Sequence, residues 1–181
     1  MKINWKKLDI KGVANIVAGH LSARDIDCTL VGGACVSIYS ANKYVSLDVD
    51  FVTDAPLKQI DAALDEIGFR RKSTRHYIHS DCAYILDFIP PPLAIGGQPV
   101  RKTEIVRTGL GTLKLLTPTD CVKDRLAAFF HWNDYQSLEQ AVLVAKKQEN
   151  KIDLSEIENW AKQEKHIDKY DLFFKKLKVG N

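Results

Sequence analysis

Apolar residues recur at helical spacing between Leu8 and about Arg24, at Ile10, Val13, Ile16, Val17 and Leu21, and that period predicts an amphipathic helix. Residues 28–33, CTLVGG, form a short apolar run closed by two glycines, which predicts a buried strand. The following ACVSIYS can open a helix. Residues 47–52, LDVDFV, alternate as a strand does, sending Leu47, Val49 and Phe51 to a core and Asp48 and Asp50 to the opposite face. Thr53, Asp54 and Pro56 suit a helix start for residues 57–69, with Gly68 as its C-terminal stop. Residues 70–79 and 82–89 read as two strands joined near Ser80 and Asp81, a hairpin. The prolines and glycines clustered between Pro90 and Pro99 predict a loop.

The texture changes after a short extended stretch around Glu104 to Val106. Thr117-Pro118-Thr119-Asp120 is a helix N-terminus, with proline tolerated in the first turn. Val122 to Phe130, Leu138 to Ala145 and Ile157 to Trp160 follow a helical period, and LFFKKLK at 172–178 reads as an amphipathic end that seals the core. The pattern therefore predicts an α+β chain in two parts: a mixed core over residues 1–115 and a helical region over residues 116–181.

Composition narrows the class. Of 181 residues, 45% are apolar and 27% charged, enough for a core without disulfides, since a chain of this size buries roughly 70% of its unfolded surface. Lys and Arg total 26 against 23 Asp and Glu, a net charge of +3, too little for the clustered basicity of a dedicated nucleic-acid binder. The N-terminal MKINWKKLDIKG has no apolar signal region, and no apolar run reaches the length of a membrane span. Cys28, Cys35, Cys82 and Cys121 are scattered, with no CxxC pair. These features predict a reduced, cytoplasmic protein with no membrane partner.

The chemistry concentrates in three places: Gly32-Gly33 closing a strand, Asp48-Val49-Asp50 inside a strand, and Asp87 inside the apolar YILDFI. Residues i and i+2 of a strand share a face, so the first two carboxylates stand roughly 6 to 7 Å apart at the backbone. At that distance they repel by roughly 2 to 3 kcal/mol in a medium of effective dielectric 20. A hard divalent cation such as Mg²⁺ removes the repulsion and favours carboxylate oxygens together with substrate phosphates. If the strand of Asp87 lies beside that of Asp50, three carboxylates meet, the ligand set of a two-metal phosphoryl-transfer site. Gly32 and Gly33 let backbone N–H groups approach a polyphosphate, helped by the helix start that follows. The glycine pattern of a dinucleotide fold and the Walker A lysine are both missing.

A strand ending in Gly-Gly, a helix, Asp-hydrophobic-Asp on the next strand and a third Asp on a later one together resemble the nucleotidyltransferase fold of the polymerase β type. PPPLAIGGQPV and LTPTDCVKDRLAAFFHWND are similar to small bacterial members related to the AbiEii abortive-infection toxins. The resemblance implies a mixed sheet flanked by helices and an enzyme that moves a nucleoside monophosphate from an NTP to an acceptor hydroxyl. The acceptor would be RNA, a protein or a small molecule, and an antitoxin protein would be a partner. Asp48 and Asp50 would bind Mg²⁺ carrying the NTP. Asp87 would bind a second ion and activate the acceptor; Mn²⁺ is an alternative metal. Gly32 and Gly33 would contact the triphosphate, and Lys123 and Arg125 would reach its phosphates, or else lie on a helix surface in ion pairs such as those with Asp124 and its neighbours. The family often has Ser where this chain has Gly33; Ser37, one turn on, is the substitute hydroxyl. The 14 residues between Gly33 and Asp48 lie at or slightly beyond the long end of the usual spacing.

Other features carry two readings. Arg70, Arg71, Lys72 and Arg75 fit a solvated strand face or a groove for a triphosphate or RNA backbone. Asp87 fits a core carboxylate paired with an arginine as well as a metal ligand. His76 and His79 project to opposite faces of their strand, which disfavours a shared zinc. Trp132 reads as a packing residue rather than a base-stacking platform. The chain as a whole fits a transferase, or an inactive module of the same fold that binds nucleotide, RNA or a protein.

Overall fold

Asp9 starts the first helix by accepting a hydrogen bond from the Gly12 N–H at 2.8 Å, which satisfies one of the free donors of a helix N-terminus. Helix α1 (Ile10–Ser22) then buries Ile10, Val13, Val17 and Leu21 along one face. The computed structural model describes residues 3–179. Strand β1 (Thr29–Val31) runs directly into α2 (Gly32–Tyr39), so the two glycines open the helix rather than close the strand. Strand β2 (Asp48–Val52) and α3 (Leu57–Asp65) follow. Past α3, Gly68 takes a left-handed φ of +87°, as its stop role requires.

Residues 70–79 are divided between β3 (Arg70–Arg71) and β4 (His76–Ile78), with β5 (Ile85–Ile89) after them. The expected two-stranded hairpin is thus a three-stranded antiparallel run, because the polar residues 72–75 turn the chain before β4. The expected loop at 90–99 contains a small hairpin of β6 (Ala94–Ile95) and β7 (Gln98–Pro99), turned by Gly96-Gly97. The extended stretch at 104–106 belongs to β8 (Thr103–Thr108), which pairs with a strand the hydrophobic pattern did not mark, β9 (Gly111–Leu116). The helices of the C-terminal part are α4 (Pro118–Trp132), α5 (Tyr135–Lys147), α6 (Leu154–Gln163) and α7 (Ile167–Lys178). Thr117 caps α4, accepting from Asp120 N–H at 3.1 Å, and Pro118 occupies the first turn as expected.

The main sheet has seven strands in the order β3-β4-β5-β2-β1-β9-β8. It is mixed: β2 runs parallel to β5 and β1 parallel to β9, and the other pairs are antiparallel. Helix α1 packs on β9, and α4 joins α2 to α5 and α6. On the core face Phe51 stacks on Phe88 at 5.7 Å between ring centroids, and Tyr77 meets Phe88 edge-on at 5.4 Å. Burying each of these rings is worth roughly 2 to 3 kcal/mol, which fixes β2, β4 and β5 side by side and sets the register of the opposite face. Val49 and Phe51 are fully buried as expected, but Leu47, the residue before β2, is 62% exposed although its carbonyl accepts from the Ile85 N–H at 3.0 Å. None of the four cysteines is in a disulfide. Among the described residues no helix is long and apolar enough to cross a membrane.

Candidate active site

Strands β2 and β5 pair in parallel with Asp50 directly opposite Asp87 and Asp48 opposite Ile85. Opposed residues on neighbouring strands share a face, so the sheet sets the carboxylates of Asp50 and Asp87 beside one another. Asp48 lies two residues before Asp50 on that same face. Asp48 is exposed, Asp50 half-buried and Asp87 buried. Burial, and next the neighbouring charges of Asp87 and Asp48, push the Asp50 carboxyl up to about 6, with the Arg125 guanidinium opposing.

Gly32 is the other wall of this site. Its φ is +66°, and a Cβ there would stand 2.6 Å from Asp50 Oδ2. Any side chain at position 32 would collide with the carboxylate and strain the backbone. Gly33 faces a different neighbour: a Cβ there would meet Ser46 Oγ at 2.9 Å and Tyr44 Oη at 3.5 Å. The loop between α2 and β2 therefore folds back over the second glycine. No side chain caps the N-terminus of α2, leaving its first backbone N–H groups without a side-chain acceptor.

Asp87 has two neighbours from the β3–β4 segment. Arg75 Nε lies 2.9 Å from Oδ1, and His76 Nε2 lies 3.5 Å from Oδ2. The arginine approaches off its N–H axis, so the buried Oδ1 is ion-paired with it but accepts no hydrogen bond. His76 in turn has Ser73 Oγ 2.7 Å from its Nδ1. The pairing of Asp87 with an arginine, one of its two sequence readings, is therefore present. Asp87 also stands opposite Asp50, the placement on which its reading as a metal ligand depends.

The remaining expected contacts fall in different places. Ser37 is fully buried; its hydroxyl donates to Gly33 O at 3.2 Å and accepts from Ser46 N–H at 2.9 Å. It pins the loop before β2 and has no open face toward a phosphate. Lys123 is also buried, with its ammonium 2.8 Å from both Asp120 and Glu156, so it ties α4 to α6. Arg125 does act electrostatically on Asp50, while its guanidinium is held by Asp124 at 2.6 Å. In the basic run, Arg70 pairs with Asp65 and Arg71 with Asp61 on α3, and only Arg75 turns to the carboxylates. His79 stacks near Trp5 and Phe69, away from His76 at Asp87. Trp132, expected to pack, is 76% exposed, because it falls off the stripe of α4 that buries Leu126, Phe129 and Phe130.

Sequence reasoning missed Arg75 and His76 as neighbours of Asp87, and Ser73 as the partner of His76. The basic run marked the region, but the pairing of His76 with Asp87 across β4 and β5 depends on a register that the short, polar β3–β4 segment does not announce. Among the described residues, no three or more His, Cys, Asp or Glu side chains come together as a group that could hold a metal ion, so the expected meeting of three carboxylates reduces to the adjoining pair Asp50 and Asp87. The donor chemistry nonetheless fits a hard cation: two adjoining carboxylates, a third two residues away, an unsatisfied Asp87 oxygen, and a glycine that keeps Asp50 clear.

No protein-family model and no curated protein matches the sequence. Solved structures do match. One is an antigenic nucleotidyltransferase-like protein from Paracoccidioides brasiliensis, 14% identical, with a TM-score of 0.60 over 76% of each chain. Another is ANT(2'')-Ia in complex with adenylyl-2''-tobramycin, 10% identical, with a TM-score of 0.51 over 92% of this chain and 97% of that one. At these identities the likeness is one of architecture, and it defines the class: this chain has the nucleotidyltransferase fold. Within it, the Gly-Gly turn opens α2, and Asp48 and Asp50 lie on β2 and Asp87 on β5.

Proposed function

We propose that the protein is a metal-dependent nucleotidyltransferase that moves a nucleoside monophosphate from an NTP to an acceptor hydroxyl and releases pyrophosphate. The observation that carries this reading is the side-by-side placement of Asp50 and Asp87, with Gly32 leaving room for the Asp50 carboxylate. Asp48 and Asp50 are the proposed ligands for the metal that accompanies the nucleotide, and Asp87 shares the metal and orients or deprotonates the acceptor. When bound there, Mg²⁺, or Mn²⁺ in its place, supplies charge neutralisation for the triphosphate and its leaving group. The uncapped first turn of α2, opened by Gly32 and Gly33, offers N–H groups and a positive dipole end to the phosphates. Arg125, whose charge partly opposes the upward shift of the Asp50 carboxyl, adds a fixed positive charge beside the site. Positioning and electrostatics provide the rate, as phosphoryl transfer demands little covalent chemistry of the protein.

The proposed acceptor is a hydroxyl of RNA, of a protein or of a small molecule. The adenylyl-2''-tobramycin bound to ANT(2'')-Ia favours the small molecule among these. A toxin or phage-defence setting, with an antitoxin partner, rests on the sequence resemblance of residues 90–100 and 116–134. One observation favours a second reading, a nucleotide- or RNA-binding module without catalysis: Arg75 already lies on the Asp87 carboxylate and could neutralise it without a metal. Transfer itself separates the two. With α-labelled NTPs, Mg²⁺ and total cellular RNA, protein or small molecules, the wild type is expected to label one fraction, and Asp48→Ala or Asp50→Ala to abolish it. A wild type that labels nothing these variants abolish excludes the transferase.

A further inference from the structure

Asp87 is approached by a chain of polar side chains that the proposed transfer to an outside acceptor does not use. Ser73 Oγ stands 2.7 Å from His76 Nδ1, and His76 Nε2 stands 3.5 Å from Asp87 Oδ2. The tautomer that suits both contacts has its proton on Nε2, facing the carboxylate, and accepts from Ser73 at Nδ1. Ser73 and His76 are both exposed, so no packing requirement of the core accounts for the arrangement. A serine hydroxyl is thereby held one imidazole ring away from the carboxylate assigned to the acceptor. It lies on the segment between β3 and β4, where the residues from Lys72 to Arg75 are all exposed.

From this geometry we infer that Ser73 is a self-modification site: the protein transfers a nucleoside monophosphate to its own Ser73 hydroxyl. The inference rests on the nucleotidyltransferase reading. In the step, a bond forms between Ser73 Oγ and the α-phosphorus of the NTP. The bond from that phosphorus to the bridging oxygen of the β-phosphate breaks, and pyrophosphate leaves with the electron pair. The hydroxyl proton passes to the solvent that reaches this exposed side chain. His76 is a positioning residue, holding the Ser73 oxygen one ring's length from Asp87. The product, a nucleotidyl phosphodiester on Ser73, would stand over Asp87 and obstruct an outside acceptor, so self-modification would limit transfer.

The test is intact-mass measurement and peptide mapping of the purified full chain after incubation with each NTP and MgCl₂ without an added acceptor. Pyrophosphate release is followed in parallel, with and without cellular RNA, protein and small molecules. The expected result is a gain of one nucleoside monophosphate per chain, mapped to Ser73. Ser73→Ala and Asp50→Asn both lose it, and only Ser73→Ala keeps nucleotide-dependent pyrophosphate release with an outside acceptor. His76→Ala slows the labelling, and His76→Asn, whose amide oxygen can accept near the Nδ1 position, restores it. Label that persists in Ser73→Ala overturns the inference. So does pyrophosphate release to an outside acceptor from a wild type that carries no label, a result that leaves the transferase reading standing. Neither label nor pyrophosphate under any condition overturns both.

Discussion

Gly32 and Asp50 are built around each other: the glycine holds a left-handed φ of +66°, and the space its missing Cβ leaves is filled by Asp50 Oδ2, 2.6 Å from where that atom would be. The contact joins the strand-to-helix turn after β1 to the middle of β2, across the pairing of Val31 with Asp50. A turn residue and a metal-ligand candidate are therefore one structural unit.

Gly32→Ala should break that unit. The left-handed backbone costs an L-residue about 1 to 2 kcal/mol, and the clash must displace the Asp50 carboxylate. Urea denaturation is expected to show a loss of about 1 to 3 kcal/mol, and Mg²⁺·NTP should no longer raise the melting temperature. A variant with wild-type nucleotide stabilisation would show that Asp50 need not sit where the glycine lets it.

The raised Asp50 carboxyl predicts an inverted pH response in the metal-free protein. Its folded value, about 6, lies above its ordinary value of 3.8. Below pH 3.8 both the folded and unfolded states hold the proton, and there is no penalty. Between pH 3.8 and 6 the unfolded chain releases it first, so this group's contribution to stability falls as pH rises. The loss reaches up to about 3 kcal/mol above pH 6. Comparing wild type with Asp50→Asn in chelator from pH 4 to 8, the variant is expected to gain relative stability over that window. Parallel curves would contradict the cause assigned to the shift.

Arg75→Ala separates the arginine's two effects on Asp87. Without divalent cation the variant should lose about 1 kcal/mol, since the ion pair is half-exposed on the arginine side. With Mg²⁺ added, its melting temperature should rise more than that of the wild type, because the guanidinium no longer competes for Oδ1. An equal rise in both proteins would place the cation elsewhere.

Lys123 serves stability in this structure, and its substitution should show it. Lys123→Met leaves Asp120 buried without its partner, at a cost of about 3 kcal/mol. The affinity for Mg²⁺·NTP, measured at a temperature where the variant is folded, should stay within about twofold of wild type. A large loss of affinity with little loss of stability would restore Lys123 to the phosphate contacts that the sequence resemblance implies.

Much of the frame was legible from periodicity. The 3.6-residue spacing of Ile10, Val13, Val17 and Leu21 marked α1, and the alternation about Val49 and Phe51 marked β2 and aimed Asp50 away from the core. Thr117-Pro118 announced α4 through local capping chemistry. What stayed hidden depends on pairing between distant segments. Strand β9 is recognisable through its partners β8 and β1, and its glycine and lysine blur the alternation. The convergence of Asp50 and Asp87 required that β5 lie beside β2, which the sequence could pose only as a condition. Lys123 and Ser37 looked available to a ligand because sequence shows their chemistry but not Glu156 and Ser46, which engage them.

Asp50 and Asp87 are proposed to form a carboxylate pair that takes a divalent cation with a nucleoside triphosphate. Titration of Mn²⁺ in the presence of ATP, followed by the loss of the free-ion paramagnetic resonance signal, measures this directly. The wild type is expected to bind Mn²⁺·ATP at least about tenfold more tightly than Asp50→Asn or Asp87→Asn, equivalent to about 1.4 kcal/mol. Equal affinities in all three proteins, each verified as folded, would contradict the claim.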